Sequence, residues 1–131
     1  VKVSADTSVL VRAVVRDDDA QADRAAALLT EAELIAVAPS SLCEFVWVLR
    51  KVYRFKPAEV GEAIRALLAA GTVKTDRPVV EAGLAMLDAG GDFADGVIAH
   101  EGAGLGGDVF VTFDRRAVTR LQAMGRTTRV L

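Results

Sequence analysis

"GGDFADGVIAHEGAGLGG", residues 90–107, decides the fold, because its two halves point to different chemistry. The first half sets Asp92 and Asp95 three residues apart at a predicted helix start, and the second, "GAGLGG", matches the Gly-x-Gly-x-x-Gly pattern of dinucleotide-binding loops. That pattern works when a strand feeds the glycines and a helix follows them, so that a pyrophosphate meets the positive end of the helix. Here the order is reversed: a helical segment precedes Gly102, Gly104, Gly106 and Gly107, and the strand-like "DVFVTF" follows. The glycines therefore read as a helix stop and a tight turn. The stretch is left with its two carboxylates.

Outward from there the chain alternates short strands with helices. "VKVSA" (1–5) reads as a strand, followed by a helix in "DTSVLVRAVV" with Asp6 or Ser8 as its start signal. Apolar residues recur at helical spacing from Ala20 to Leu34, "IAVAP" (35–39) is a strand stopped by Pro39, and "SLCEFVWVLRKVY" (41–53) is a helix. A helix from Pro57 to Gly71, the brief strand "TVKT" and a helix through "DRPVVEAGLAMLDAGG" repeat the pattern. After the quoted stretch come the strand "DVFVTF" (108–113), the helix "DRRAVTRLQAMG" (114–125) and a last strand, "TTRVL". Five short strands between helices predict an α/β fold: one domain over residues 1–131, with a mainly parallel central sheet of about five strands and helices on both faces. Ligands of such sheets gather beyond the carboxyl ends of the strands, and Asp6 and Asp114 sit at two of those ends.

Composition bounds the function. A chain of 131 residues buries enough surface to need no disulfide, and its one cysteine, Cys43, falls in an apolar helix and reads as a buried, inert thiol. A cytoplasmic setting is expected. The opening residues lack the order of a secretory signal, and no apolar run is long enough to cross a bilayer, so no membrane association is expected. A net charge of -2 argues against a broad basic footprint for nucleic acid. It leaves room for a nuclease in which a cation at clustered acids restores the local attraction for phosphate.

Asp6, Glu44, Asp95 and Asp114 are the acids to account for. Asp6, Asp95 and Asp114 each fall at a helix start, where a carboxylate accepts backbone N–H bonds and complements the helix dipole; Asp92 is the natural cap of "FADGVIAH", which leaves Asp95 free to face outward. Glu44 lies at the border of the apolar arc Leu42, Phe45, Val46, Leu49, Val52 and Tyr53, where it is either an exposed border residue or a half-buried acid facing a positive group. Convergence of the four at one edge is the expectation. Two carboxylates about 4 Å apart repel by roughly 4 kcal/mol at an effective dielectric of about 20, so such a cleft takes up protons or a cation. Hard oxygen donors without clustered cysteine or histidine suit Mg2+ or Mn2+ rather than zinc. His100, the one histidine, points around its helix away from Asp95, and "DTS" lacks the second acid of a dehalogenase-type phosphatase.

"DTSVLVR", "SLCEFVWVLRK", "DFADGVIAH" and "VTFDRRA", in this order, resemble the four motifs of the PIN domain, and at this length the chain is most similar to VapC toxins of type II toxin-antitoxin pairs. The resemblance implies a metal-dependent endoribonuclease using Mg2+ or Mn2+ and leaving 5′-phosphate and 3′-hydroxyl ends. Asp6, Glu44, Asp95 and Asp114 match the family's acidic quartet, with Thr112 as a hydroxyl contact to Asp114 or a metal water. Ser8 stands where many relatives have Asn, and Gly96 where Ala often follows the acid. Asp92 is an added acid, a cap first and an auxiliary contact second. Arg12, Arg115 and Arg116 are candidate RNA contacts, each otherwise a solvated cation. The resemblance also implies a VapB-type antitoxin as partner and a homodimer. The alternative is a non-catalytic or regulatory α/β binding module whose acids only cap helices.

Overall fold

The computed structural model describes all residues from Val1 to Leu131. They form two compact units, Val1–Asp76 and Arg77–Leu131.

In the first unit the order is β1 (Lys2–Ser4), α1 (Thr7–Val14), α2 (Asp19–Glu31), β2 (Leu34–Ala36), α3 (Pro39–Lys51), α4 (Pro57–Ala69) and β3 (Val73–Lys74). The strands lie parallel in the order β1-β2-β3, with Val3 opposite Ile35 and Ile35 opposite Val73. Parallel neighbours need a crossover, and the pairs α1–α2 and α3–α4 provide it. Leu10, Ile35, Leu42, Phe45, Leu49, Val60, Ile64 and Val73 form its interior. The buried Thr7 donates its hydroxyl to the carbonyl oxygen of Ser41 at 3.3 Å and ties the start of α1 to the first turn of α3.

In the second unit α5 (Arg77–Asp88), α6 (Phe93–Gly104), β4 (Phe110–Thr112), α7 (Arg115–Ala123) and β5 (Thr128–Val130) follow one another, with β4 and β5 parallel across α7. Met86, Ala99, Ala117 and Leu121 form a buried cluster against which Phe110 packs. The glycines behave as their order predicts. Gly107 N–H donates to Gly102 O at 2.8 Å and Gly106 N–H to Ala103 O at 3.0 Å, the paired bonds of a helix-ending turn, and Gly106 takes the φ of +101° that this turn requires.

The α/β class with parallel strands holds, and three details differ from the sequence-based expectation. The five strands pair as a three-stranded and a two-stranded sheet rather than as one ladder; each is only two or three residues long, so few pairing positions exist. The helix expected to reach Leu34 stops at Glu31: Ala32 turns extended, and Leu34 pairs with Lys2 in β2. Cys43 is half-buried rather than buried, because it lies beside the arc that Leu42, Phe45, Val46 and Leu49 turn inward.

Replacing the fully buried Phe45 with Ala should cost about 3–5 kcal/mol of stability, measured by urea denaturation followed by circular dichroism. Val52→Ala, at a position 57% exposed at the end of the same helix, should stay within about 0.5 kcal/mol of the parent.

Candidate functional site

Within the first unit, β1 ends and α1 begins at Asp6. Its extended backbone makes it the N-cap, and its Oδ2 accepts from Ser8 N–H at 3.2 Å and from the Ser8 hydroxyl at 2.7 Å. The Ser8 hydroxyl bond is the main reason the Asp6 carboxyl sits below its ordinary value, since both bonds favour the charged form. Ser8 thus holds the acid ionised and in one orientation. Both contacts use the same oxygen, and Oδ1 is left over.

Glu44 stands one turn after Ser41 on α3, so the Thr7–Ser41 bond joins the two segments that carry Asp6 and Glu44. Of its two sequence readings, the structure gives the exposed one. The apolar arc is narrower than expected: Leu42, Phe45, Val46 and Leu49 turn inward, whereas Val52 is 57% exposed.

Arg12 is held in a local network. Its guanidinium donates to Asp17 at 2.6 Å, to Gln21 at 2.7 Å and to the Tyr53 hydroxyl at 3.3 Å, while Tyr53 donates to the other Asp17 oxygen at 2.7 Å. Tyr53 is the chief cause of both the raised Arg12 and the lowered Asp17 values. These bonds join α1, the segment before α2 and the end of α3.

Within the second unit three acids come together. Asp92 caps α6 through Oδ1, which accepts from Ala94 N–H at 3.0 Å. Asp114, just past the carboxyl end of β4, caps α7 through Oδ1, which accepts from Arg116 N–H at 2.9 Å and Ala117 N–H at 3.3 Å. Thr112 Oγ1 accepts from the Asp114 backbone N–H at 3.0 Å, so its contact with this residue is to the backbone and fixes the turn carrying the acid. Asp95, at the third position of α6, caps nothing. Its carboxyl is raised above the ordinary value, first by burial and then by the negative charges of Asp92 and Asp114. Asp95 is thus an acid whose ionisation is opposed on three counts, near two carboxylates that each keep one oxygen free of a cap bond. No three His, Cys, Asp or Glu side chains close into a ready cage. Mg2+ requires none, because it keeps several waters and takes one or two carboxylates directly.

Arg115 and Arg116 follow Asp114 with exposed side chains. The His100 ring is occupied by Arg126, whose Nη2 lies 2.8 Å from Nδ1. A guanidinium only donates, so Nδ1 is the acceptor and the histidine is a packing partner of β5's approach.

Sequence reasoning missed the close crossing of α5 and α6. A Cβ added at Gly96 would run into the carbonyl oxygen of Ala82, and one at Gly83 would lie 2.6 Å from the Phe93 ring. The glycine directly after Asp95 was the available signal.

In a comparison with protein families, residues 4–122 match the PIN domain. No match is found among curated proteins. No helix is long and apolar enough to cross a membrane.

The raised Asp95 value has a definite consequence for stability. Between the ordinary carboxyl value and the raised one, the folded chain binds more protons than the unfolded chain, so stability falls as pH rises through that window and stays reduced above it. In metal-free buffer at pH 7, Asp95→Asn should therefore melt at a higher temperature than the parent, and the gap should close as the pH is lowered through the window. A lower melting temperature for Asp95→Asn would contradict the assigned cost of burying this charge beside Asp92 and Asp114.

Proposed function

The chain belongs to the PIN-domain family, and from that membership we propose that it is a Mg2+- or Mn2+-dependent endoribonuclease, the toxin of a VapBC-type toxin-antitoxin pair. PIN domains are as a rule nucleases, so phosphodiester hydrolysis is the activity to be explained. The observation that carries the reading is the state of Asp95: half-buried, crowded by Asp92 and Asp114, and used for no cap.

Asp95 and Asp114 would hold the cation, with Asp92 as auxiliary. Asp6 and Glu44 complete the proposed acidic set, as in the family's quartet. The bound ion supplies activation of water and stabilisation of charge on the leaving oxygen. The chain's own residues do the orienting. Ser8 keeps Asp6 ionised and presents its Oδ1. The Thr112 turn sets the direction of Asp114. Glu44, exposed on α3, is free to ligate or to take a proton from the attacking water. Arg115 and Arg116, with exposed side chains next to Asp114, are suited to meet backbone phosphate. Arg12 is the weaker RNA contact of the three, because Asp17, Gln21 and Tyr53 already engage its guanidinium.

A VapB-type antitoxin and a second copy of the chain are the proposed protein partners, in a cytoplasmic setting. For the antitoxin, support comes from a cleft of about 360 Å³ between α1 and α2, where Val9, Ala25 and Leu28 are flanked by Arg12 and Arg24. An amphipathic segment with acidic residues would match that combination.

One observation favours a second reading, a non-catalytic α/β binding module: Asp6, Asp92 and Asp114 do cap helices. Capping takes one oxygen of each, which is why it does not decide the question.

RNA cleavage decides it. Purified protein should cut single-stranded RNA in Mn2+ or Mg2+ and stop when EDTA is added. Asp6→Asn and Asp95→Asn should each lower the rate by at least about 100-fold, on the order of 3 kcal/mol of barrier, with circular dichroism unchanged. A parent protein that binds RNA but never cuts it in either metal would leave the binding-module reading standing.

A further inference from the structure

Asp95 stands on a helix whose position is set by an unusually close neighbour. α5 and α6 make the most extensive helix contact of the chain. Phe93 and Gly96, one turn apart on α6, share the face turned to α5, where Phe93 is fully buried against Gly83 and Gly96 lies over the Ala82 carbonyl. The two contacts differ in kind. A methyl group at Gly83 would meet the Phe93 ring, a side chain that, being fully buried, can shift only by displacing its neighbours. A methyl group at Gly96 would meet the backbone oxygen of Ala82, and also Met86 Cβ at 2.9 Å. No rotamer relieves a clash with backbone, so the helices must separate or turn.

We propose that Gly96 is a positioning residue for Asp95: its bare Cα lets α6 rest on the Ala82 carbonyl, and this contact fixes where the Asp95 carboxylate stands relative to Asp92 and Asp114. The proposal rests on the reading of Asp95 and Asp114 as ligands of a divalent cation. Asp92 caps the first turn of α6 and Asp95 lies within it, so both acids move as one body when that turn moves. Asp114 belongs to the β4–α7 turn and does not follow. Restoring ordinary contact at Gly96 displaces the α6 turn by on the order of 1 Å, a misplacement that costs up to about 100-fold where a site depends on geometry. Glycine in a helix interior is a poor helix former. Its presence right after the acid is explained by the space it leaves.

The test is the dissociation constant of Mn2+, measured by calorimetry on the full chain well below the melting temperature, with the fold of each variant checked by circular dichroism. Four proteins are compared with the parent: Gly96→Ala, Gly102→Ala, Val60→Ala and Asp95→Asn. Gly102 is on the same helix with open space around its Cα, and Val60 is a fully buried residue of α4, in the first unit, whose truncation lowers stability. The expected result is binding at least about 10-fold weaker in Gly96→Ala and in Asp95→Asn, and parental binding in Gly102→Ala and Val60→Ala. Parental Mn2+ affinity in a folded Gly96→Ala overturns the positioning role and leaves the metal reading intact. A parent that binds no Mn2+ overturns the metal reading and this proposal with it. Should Gly96→Ala not fold, Gly83→Ala probes the same crossing through the Phe93 ring: a weakened constant, recovered in Gly83→Ala/Phe93→Leu, supports the role. An unchanged constant in the single variant, or no recovery in the double, overturns it.

Discussion

A carboxylate has two oxygens, and a helix start needs one. That constraint organises the starts of α1, α2, α6 and α7, each capped by an aspartate. Strands of three residues cannot bring a helix start into place by themselves, so Asp6, Asp92 and Asp114 each supply an acceptor that satisfies N–H groups with no partner inside the helix. In all three the accepting oxygen is a single atom, Oδ2 of Asp6 and Oδ1 of the other two. The second oxygen is directed by the first. Capping therefore leaves an oxygen of the same side chain for another partner, and the rigidity a cap confers is what the proposed coordination site needs.

Asp95 shows the opposite economy. It satisfies no helix N–H, it is half-buried, and two acids oppose its ionisation. Nothing in folding favours such a residue, since neutralising it would relieve the apo protein. Buried acids whose charge is opposed in this way are concentrated at functional sites, which is why Asp95 carries the proposed reading. The contrast with Asp6, whose surroundings favour its charge, falls between two aspartates that look alike in the sequence.

What could be read from the sequence was what local chemistry determines. The helix-ending role of Gly102 to Gly107 followed from their position after a helix and before a strand, and the bonds from Gly106 and Gly107 carry it out. The caps at Asp6, Asp92 and Asp114 followed from short polar residues before apolar periods. Residues whose state depends on distant partners were harder. The helical period continued to Leu34, but pairing with Lys2 draws that residue into β2. Glu44 stood on a border that periodicity left open, and the inward arc of α3 proved narrow enough to expose it. Arg12 looked like a free cation until Tyr53, forty-one positions away, joined Asp17 around it. The fold class was legible because it sums many local signals. The site was legible only as a set of acids, because their surroundings are tertiary.

Gly96 shows how the two levels meet. Read alone, a glycine after an acid at a helix start is a weakness, since it leaves the backbone freer than alanine would. Read against α5, it is the point at which one helix lies on the carbonyl of another, and a backbone contact holds position more firmly than a side chain with rotamers to choose from. The acids of the second unit come from two separate turns, one on α6 and one after β4. Their mutual distance is therefore a property of packing, and no cap, however well made, could set it. Burial raises Asp95 first and the charges of Asp92 and Asp114 add to it, so the two turns hold their carboxylates near one another against repulsion. The Phe93 and Gly96 contacts with α5 restrain the α6 side, and the Thr112 bond restrains the β4 side.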